Sequence, residues 1–61
     1  MDVDPTPGMV LRAGSTGRTY RVQSVGEERV VASGPRGSVG VDRDELEDHI
    51  DRGLVGVVSW P

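Results

Sequence analysis

The side chains of this 61-residue chain that could do chemistry are one histidine, five serines and ten carboxylates, and there is no cysteine. His49 lies in sequence among Glu45, Glu47, Asp48 and Asp51. Nucleophilic catalysis needs a nucleophile, a base within its reach and a group that orients the base. The serines lie mostly in turns, outside the strand-to-helix context of a nucleophile elbow. A domain of this size also has little interior for a pocket of several hundred cubic ångströms. We therefore expect no enzymatic activity and no cofactor.

The acidic run from Asp42 to Asp48 could be interpreted as a metal site. An EF-hand loop, however, requires a glycine at its sixth position, where this run has Glu47. Weak binding of a divalent cation by Glu45, Asp48 and His49 is the alternative to a solvated helix face. We expect the solvated face and no metal site.

Two glycine-rich segments, 14–18 and 34–38, each contain an arginine. Backbone N–H groups in such segments can cradle a phosphate. Neither segment is followed by the lysine of a phosphate-binding loop, and neither opens a predicted helix. We interpret both as hairpin turns.

The composition favours β-structure. Apolar residues make up 34% of the chain, and eleven of them are valines, against three leucines and one isoleucine. Valine packs well on a pleated surface, and the nine glycines and four prolines supply turns. Strands are predicted at 9–12, 18–25, 29–33, 38–41 and 54–60. Residues 1–8 are predicted to be a flexible acidic lead-in, and residues 9–61 a single small β-barrel domain.

One helix is predicted at 43–52, before the last strand. Asp42 is placed as its N-cap, with Glu45 three residues later as the partner in a capping box. Leu46 and Ile50 form a narrow apolar stripe at i, i+4 spacing. Gly53 follows in the position where a left-handed residue commonly ends a helix.

Five short strands with a capped helix before the last one resemble an SH3-like barrel, which implies a mostly β (α+β) fold. The residues that carry the resemblance are Gly17-x-x-Tyr20-x-Val22, Val39-x-Val41, Leu46, Ile50 and Gly53-Leu54-Val55. The aromatic residues that line the peptide groove of SH3 domains are not matched, since the chain has only Tyr20 and Trp60. Recognition of proline-rich peptides is therefore not expected.

The charged residues indicate the kind of organism and compartment in which the protein works. All seven basic residues are arginines, and the net charge is −3. This lysine-free, acidic, valine-rich composition resembles that of small haloarchaeal proteins, with high-GC actinobacteria as the second possibility. The N-terminal residues lack an apolar run, and no stretch approaches the roughly 18 apolar residues of a membrane span. We expect a cytoplasmic protein that does not bind membranes.

Five arginines stand against four acids in residues 1–40, whereas residues 41–61 have two arginines and six acids. We therefore expect an arginine-bearing sheet face opposite an acidic helix. The candidate binding residues are Arg12, Arg18, Tyr20, Arg21, Arg29, Arg36 and Trp60.

The leading hypothesis is a non-enzymatic module that docks on a protein partner. The alternative is a nucleic-acid-associated accessory protein that uses the same arginines on the barrel face, because arginine binds phosphate in a bidentate manner. A third hypothesis is self-association, because an exposed last strand that ends at Trp60 could pair edge to edge. The oligomeric state stays open.

Overall fold

The structure is a computed structural model that describes residues 4–61. Its elements are β1 (Val10–Ala13), β2 (Thr19–Val25), β3 (Arg29–Gly34), β4 (Gly37–Asp42), α1 (Arg43–Asp51) and β5 (Val55–Ser59). The prediction of a mostly β fold, with one short helix before the last of five strands, is confirmed. The helix is one residue shorter than predicted because Arg52 is its C-cap, and β5 ends before Trp60.

The five strands form one antiparallel sheet in the order β4-β3-β2-β1-β5. β1 lies between β2 and β5, so the last strand returns to pair with the first. Within residues 4–61, β4 and β5 do not pair with each other, and the sheet is unclosed. Helix α1 connects these two edge strands and contacts both.

The hydrophobic core lies between α1 and the inner face of the sheet. Strand register brings apolar residues into cross-strand neighbours on this face, as Leu11 with Val57 and Val30 with Val41. Val30 is fully buried on this face. The buried core residues are Met9, Leu11, Val22, Val30 and Leu46. Ala32 is buried as well.

A bulge in β2 decides which of its residues face the core. Val22 lies opposite Ala32 and Ser24 opposite Val31, so Gln23 is the extra residue on β2. Strict alternation from Val22 would turn Ser24 inward, but the bulge shifts the alternation by one residue. Val25 therefore packs against the core, and Ser24 is exposed.

Both ends of α1 are formed as the sequence predicts. The Asp42 side chain accepts a hydrogen bond from the Glu45 backbone N–H at 3.1 Å. Gly53 has φ of +80°, its N–H donates to the Ile50 carbonyl, and Leu54 N–H donates to the His49 carbonyl. These two bonds form a Schellman motif, which satisfies carbonyls at the helix end.

The segment before β1 packs along β2. Residues 1–3 of the predicted lead-in lie outside the described residues, whereas Pro5 is buried. Gly8 N–H donates to the Val22 carbonyl at 2.8 Å, and Val22 N–H donates to the Met9 carbonyl at 2.8 Å. These bonds place Met9 in the core. In the described part of the chain, no helix is long and apolar enough to cross a bilayer.

We expect Asp42→Ala to lower the free energy of unfolding by about 1 kcal/mol, because it removes the N-cap acceptor of the only helix in residues 4–61. Urea unfolding followed by circular dichroism measures the change. Asp51→Ala, at the other end of α1, is the matched control and should leave stability unchanged or slightly raised. An equal loss in both variants would contradict the capping role of Asp42.

Candidate functional site

Three of the candidate arginines, Arg12, Arg21 and Arg29, lie exposed on the outer face of the sheet. Arg12 lies opposite Thr19, two residues before Arg21 on β2. Cβ atoms in such a diagonal relation are about 7–8 Å apart. Arg12 and Arg21 are therefore neighbours on the surface.

Arg18 and Arg36 lie at the same end of the sheet as this pair. Arg18 directly precedes β2, and Arg36 lies in the turn that joins β3 to β4. Because β2 begins where its antiparallel partner β3 ends, both turns lie at one end of the sheet. We call this group the arginine end; it comprises Arg12, Arg18, Arg21 and Arg36.

Arg29 does not belong to the arginine end. It lies opposite Asp42, four residues along β3 from Ser33, the partner of Arg21. Four residues of strand span about 13 Å. The Arg29 side chain crosses the neighbouring strand, since a Cβ built on Gly40 would lie 2.9 Å from its Nη2 atom.

The arginines of the chain fall into two groups: Arg43 and Arg52 pair with carboxylates, whereas the arginine end and Arg29 have no such pair among residues 4–61. On the helix, Arg43 Nε lies 3.0 Å from Glu47 Oε2, and Arg52 Nε lies 3.1 Å from Asp48 Oδ2. Across residues 4–61, the arginine end makes no ion pair with a carboxylate. Its guanidinium groups are therefore available to an external acid.

The residues beside Arg21 on β3 and β4 are small and polar. Arg21 lies opposite Ser33, which in turn lies opposite Ser38. The Ser38 hydroxyl donates a hydrogen bond to Gln23 Oε1 at 3.3 Å. Small polar residues beside exposed arginines leave room for an extended acidic ligand.

The inner face of the sheet holds a groove that sequence analysis did not predict. Its volume is about 320 Å³, and it is open to solvent. The lining is apolar except for one phenol and one imidazole: Leu11, Ala13, Tyr20, Ala32, Val39, Val41, Leu46, His49 and Val55. Sequence analysis expected little interior volume for a pocket and did not anticipate an open groove of this size. Alanines at the inward positions 13 and 32 were the sequence signal, because they leave space between larger side chains.

Tyr20 forms one wall of the groove and lies on the face of the sheet opposite Arg12 and Arg21. It shares the inner face with Val22 and is half-buried. A Cβ built on Gly34 would overlap the Tyr20 ring, so the ring lies directly on the Gly34 backbone. Gly34 is thus required for the position of this wall.

His49 lines the groove from α1. Its Nε2 atom lies 3.9 Å from Glu45 Oε1, an i,i+4 contact that is an ion pair when the imidazole is protonated. Within residues 4–61, no three histidine or carboxylate side chains are grouped closely enough to hold a metal ion. The imidazole can exchange a hydrogen bond with a groove ligand, and the apolar lining supplies contact area.

Trp60 lies two strands away from Arg21. It follows β5, whose last residue, Ser59, lies opposite Val10, and Val10 in turn lies opposite Arg21; the Trp60 side chain is 59% exposed. The adjacent Pro61 contacts Gly8, where a Cβ would lie 3.2 Å from the proline Cβ. The seven candidate residues therefore divide among the arginine end, Arg29, the groove wall Tyr20 and the β5 edge.

We expect Gly34→Ala to lower the free energy of unfolding by about 1–3 kcal/mol, because the new methyl group must displace the Tyr20 ring. In a Tyr20→Ala background the same change should cost little, since the obstructing ring is absent. A double-mutant cycle in urea measures this coupling. Equal costs in both backgrounds would show that the ring does not rest on Gly34.

Comparison with protein-family models, with curated proteins and with solved structures found no match to this chain. The arginine end and the groove are therefore the observations from which a function can be inferred. Arg12 and Arg21 of the arginine end lie on the outer face of the sheet, and the groove lies on its inner face.

Proposed function

We propose that this protein is a non-enzymatic interaction module of the cytoplasm, with an SH3-like small-barrel fold, that docks an acidic segment of a protein partner on its arginine end. The sheet order β4-β3-β2-β1-β5, with the helix inserted before the last strand, supports the SH3-like assignment. The inward positions of Tyr20, Val22 and Val41, which carried the resemblance in sequence, also support it.

The observation that carries the proposal is the contrast between the two sets of arginines. Arg43 and Arg52 are held by carboxylates on their own helix. At the arginine end, four arginines lie at one end of the sheet without such partners among residues 4–61. Like charges gathered without counter-charges raise the energy of the free protein, and an external acid relieves that repulsion. Guanidinium groups also bind carboxylates in a bidentate geometry, which gives specificity.

An acidic protein segment fits the arginine end better than a nucleic acid does. Binding to single strands relies on aromatic side chains on which bases stack. Tyr20 lines the inner groove, on the face opposite Arg12 and Arg21, so it is not placed for stacking beside them. The chain also has a net charge of −3, against the basic balance typical of nucleic-acid-binding domains. The nucleic-acid-associated role on the same arginines is the alternative proposal.

The test is a titration of the whole protein with two fluorescent probes, a poly-glutamate peptide and a single-stranded oligonucleotide, followed by anisotropy at low salt. We expect the peptide to bind, and Arg12→Ala/Arg21→Ala to weaken binding roughly tenfold, since each exposed pair contributes up to about 1 kcal/mol. Arg29→Ala is the matched control and should change the affinity less than about twofold. Molar salt should abolish binding, because it shortens the Debye length to about 3 Å.

The outcomes separate the two proposals. Tighter binding of the oligonucleotide, lost in the same double variant, would favour the nucleic-acid role. Equal losses in Arg29→Ala and in the double variant would show that affinity follows total charge and not the arginine end. Absence of binding to both probes would overturn both proposals.

A further inference from the structure

The C-terminal strand exposes more apolar side chain than any other element among residues 4–61. Four large hydrophobic residues are exposed in this part of the chain, and three of them lie on or beside β5. Leu54 is 54% exposed, Val58 58% and Trp60 59%, whereas the fourth, Val39, is 40% exposed and lies on β4. The exposed apolar surface is thus concentrated on one edge of the sheet.

This edge also lacks charge. Residues 53–61 contain no charged side chain, in a chain where 28% of residues are charged. Edge strands of soluble proteins are usually protected by charged side chains, because their unpaired N–H and C=O groups can pair with another strand. An uncharged edge is also where two copies with a net charge of −3 can approach with the least repulsion.

The opposite edge, β4, is protected in the usual manner. Arg36 lies in the turn before it, and Asp42 is its last residue. The Arg29 guanidinium lies against Gly40 in the middle of the strand. The contrast distinguishes β5 as the edge that can pair.

We propose that the β5 edge, formed by residues 54–60, is the interface with a second copy of this chain, through antiparallel pairing of the two β5 strands. Such pairing is two-fold symmetric and closes at a dimer, because each copy uses the same edge. When it is centred on Val57, Gly56 of each copy lies opposite Val58 of the other, and Leu54 lies opposite Trp60. A Cβ on Gly56 would meet no atom within 4 Å, so the space above this glycine is open to the opposing side chain.

Two features near the end of β5 prevent further copies from adding to the dimer. The register between β1 and β5 shifts at Val58, which is the extra residue of a bulge. Bulges twist an edge locally, and Pro61 offers no N–H donor beyond it. These features favour a closed dimer over an extended sheet of many copies.

Trp60 is the only tryptophan and reports directly on this interface. The experiment is sedimentation equilibrium of the whole protein from about 1 μM to 1 mM, which spans weak to moderate dimer affinities. Tryptophan emission is measured on the same samples. We expect the mass to double with concentration, and the emission to shift to shorter wavelength over the same range as Trp60 leaves water.

The variants test the position of the interface. Val58→Lys should raise the dimer dissociation constant at least roughly tenfold, because it places two lysines in the pairing edge. Val39→Lys, on β4, is the matched control and should leave the dissociation constant unchanged. Both positions are exposed, and circular dichroism checks that each variant folds.

Three results would overturn the proposal: a monomer at every concentration, a doubled mass without a change in Trp60 emission, or disruption by Val39→Lys instead of Val58→Lys. No acidic ligand is present in this experiment. Its outcome is therefore independent of whether the arginine end binds a partner.

Discussion

The structure depends on how much of the sheet a single short helix can cover. Helix α1 has nine residues and is about 13 Å long at 1.5 Å per residue, whereas five strands about 4.8 Å apart span roughly 19 Å. Leu46 is its only buried residue, and it completes the core with Met9, Leu11, Val22 and Val30. The helix therefore cannot cover the whole width of the inner face, and the groove beside Ala13 and Ala32 lies on this face.

The same helix determines which charges are available to partners. Its carboxylates recur at i,i+4 spacing from its arginines, so Arg43 and Arg52 are paired within the helix. Arg43 also donates to the Gly26 carbonyl at 3.3 Å, which ties the helix to the turn between β2 and β3. Glu47 and Asp48 are thereby engaged within the helix. Arginines of the first strands consequently keep their charge unopposed, although the whole chain is acidic.

Local features of the fold were predictable from sequence, because they depend on residues close together in the chain. The Asp42 cap, the Gly53 helix stop and the turns around Gly34 each follow from one or two neighbouring residue types. The division of the arginines was not predictable in this way. Arg29 and Arg21 are both outward residues of neighbouring strands, and only the register, with its bulge at Gln23, shows that they lie at opposite ends. The groove was missed for a similar reason, since it depends on Ala13 and Ala32 meeting across strands that are distant in sequence.

A second copy on the β5 edge would change what the arginine end can do. Antiparallel pairing places the two-fold axis perpendicular to the sheet, so the outer faces of both copies lie on the same side. Because β5 runs in opposite directions in the two copies, the two arginine ends come to lie at opposite corners of one continuous ten-stranded sheet. Arg12, opposite Gly56 of β5, is the arginine closest to the junction in each copy. An acidic segment long enough to reach both corners would bind at two sites with the avidity of a linked ligand, while a short one would bind at a single site. The dimer would thus bind long acidic segments more tightly than short ones. Neither the arginine end nor the β5 edge makes this distinction alone.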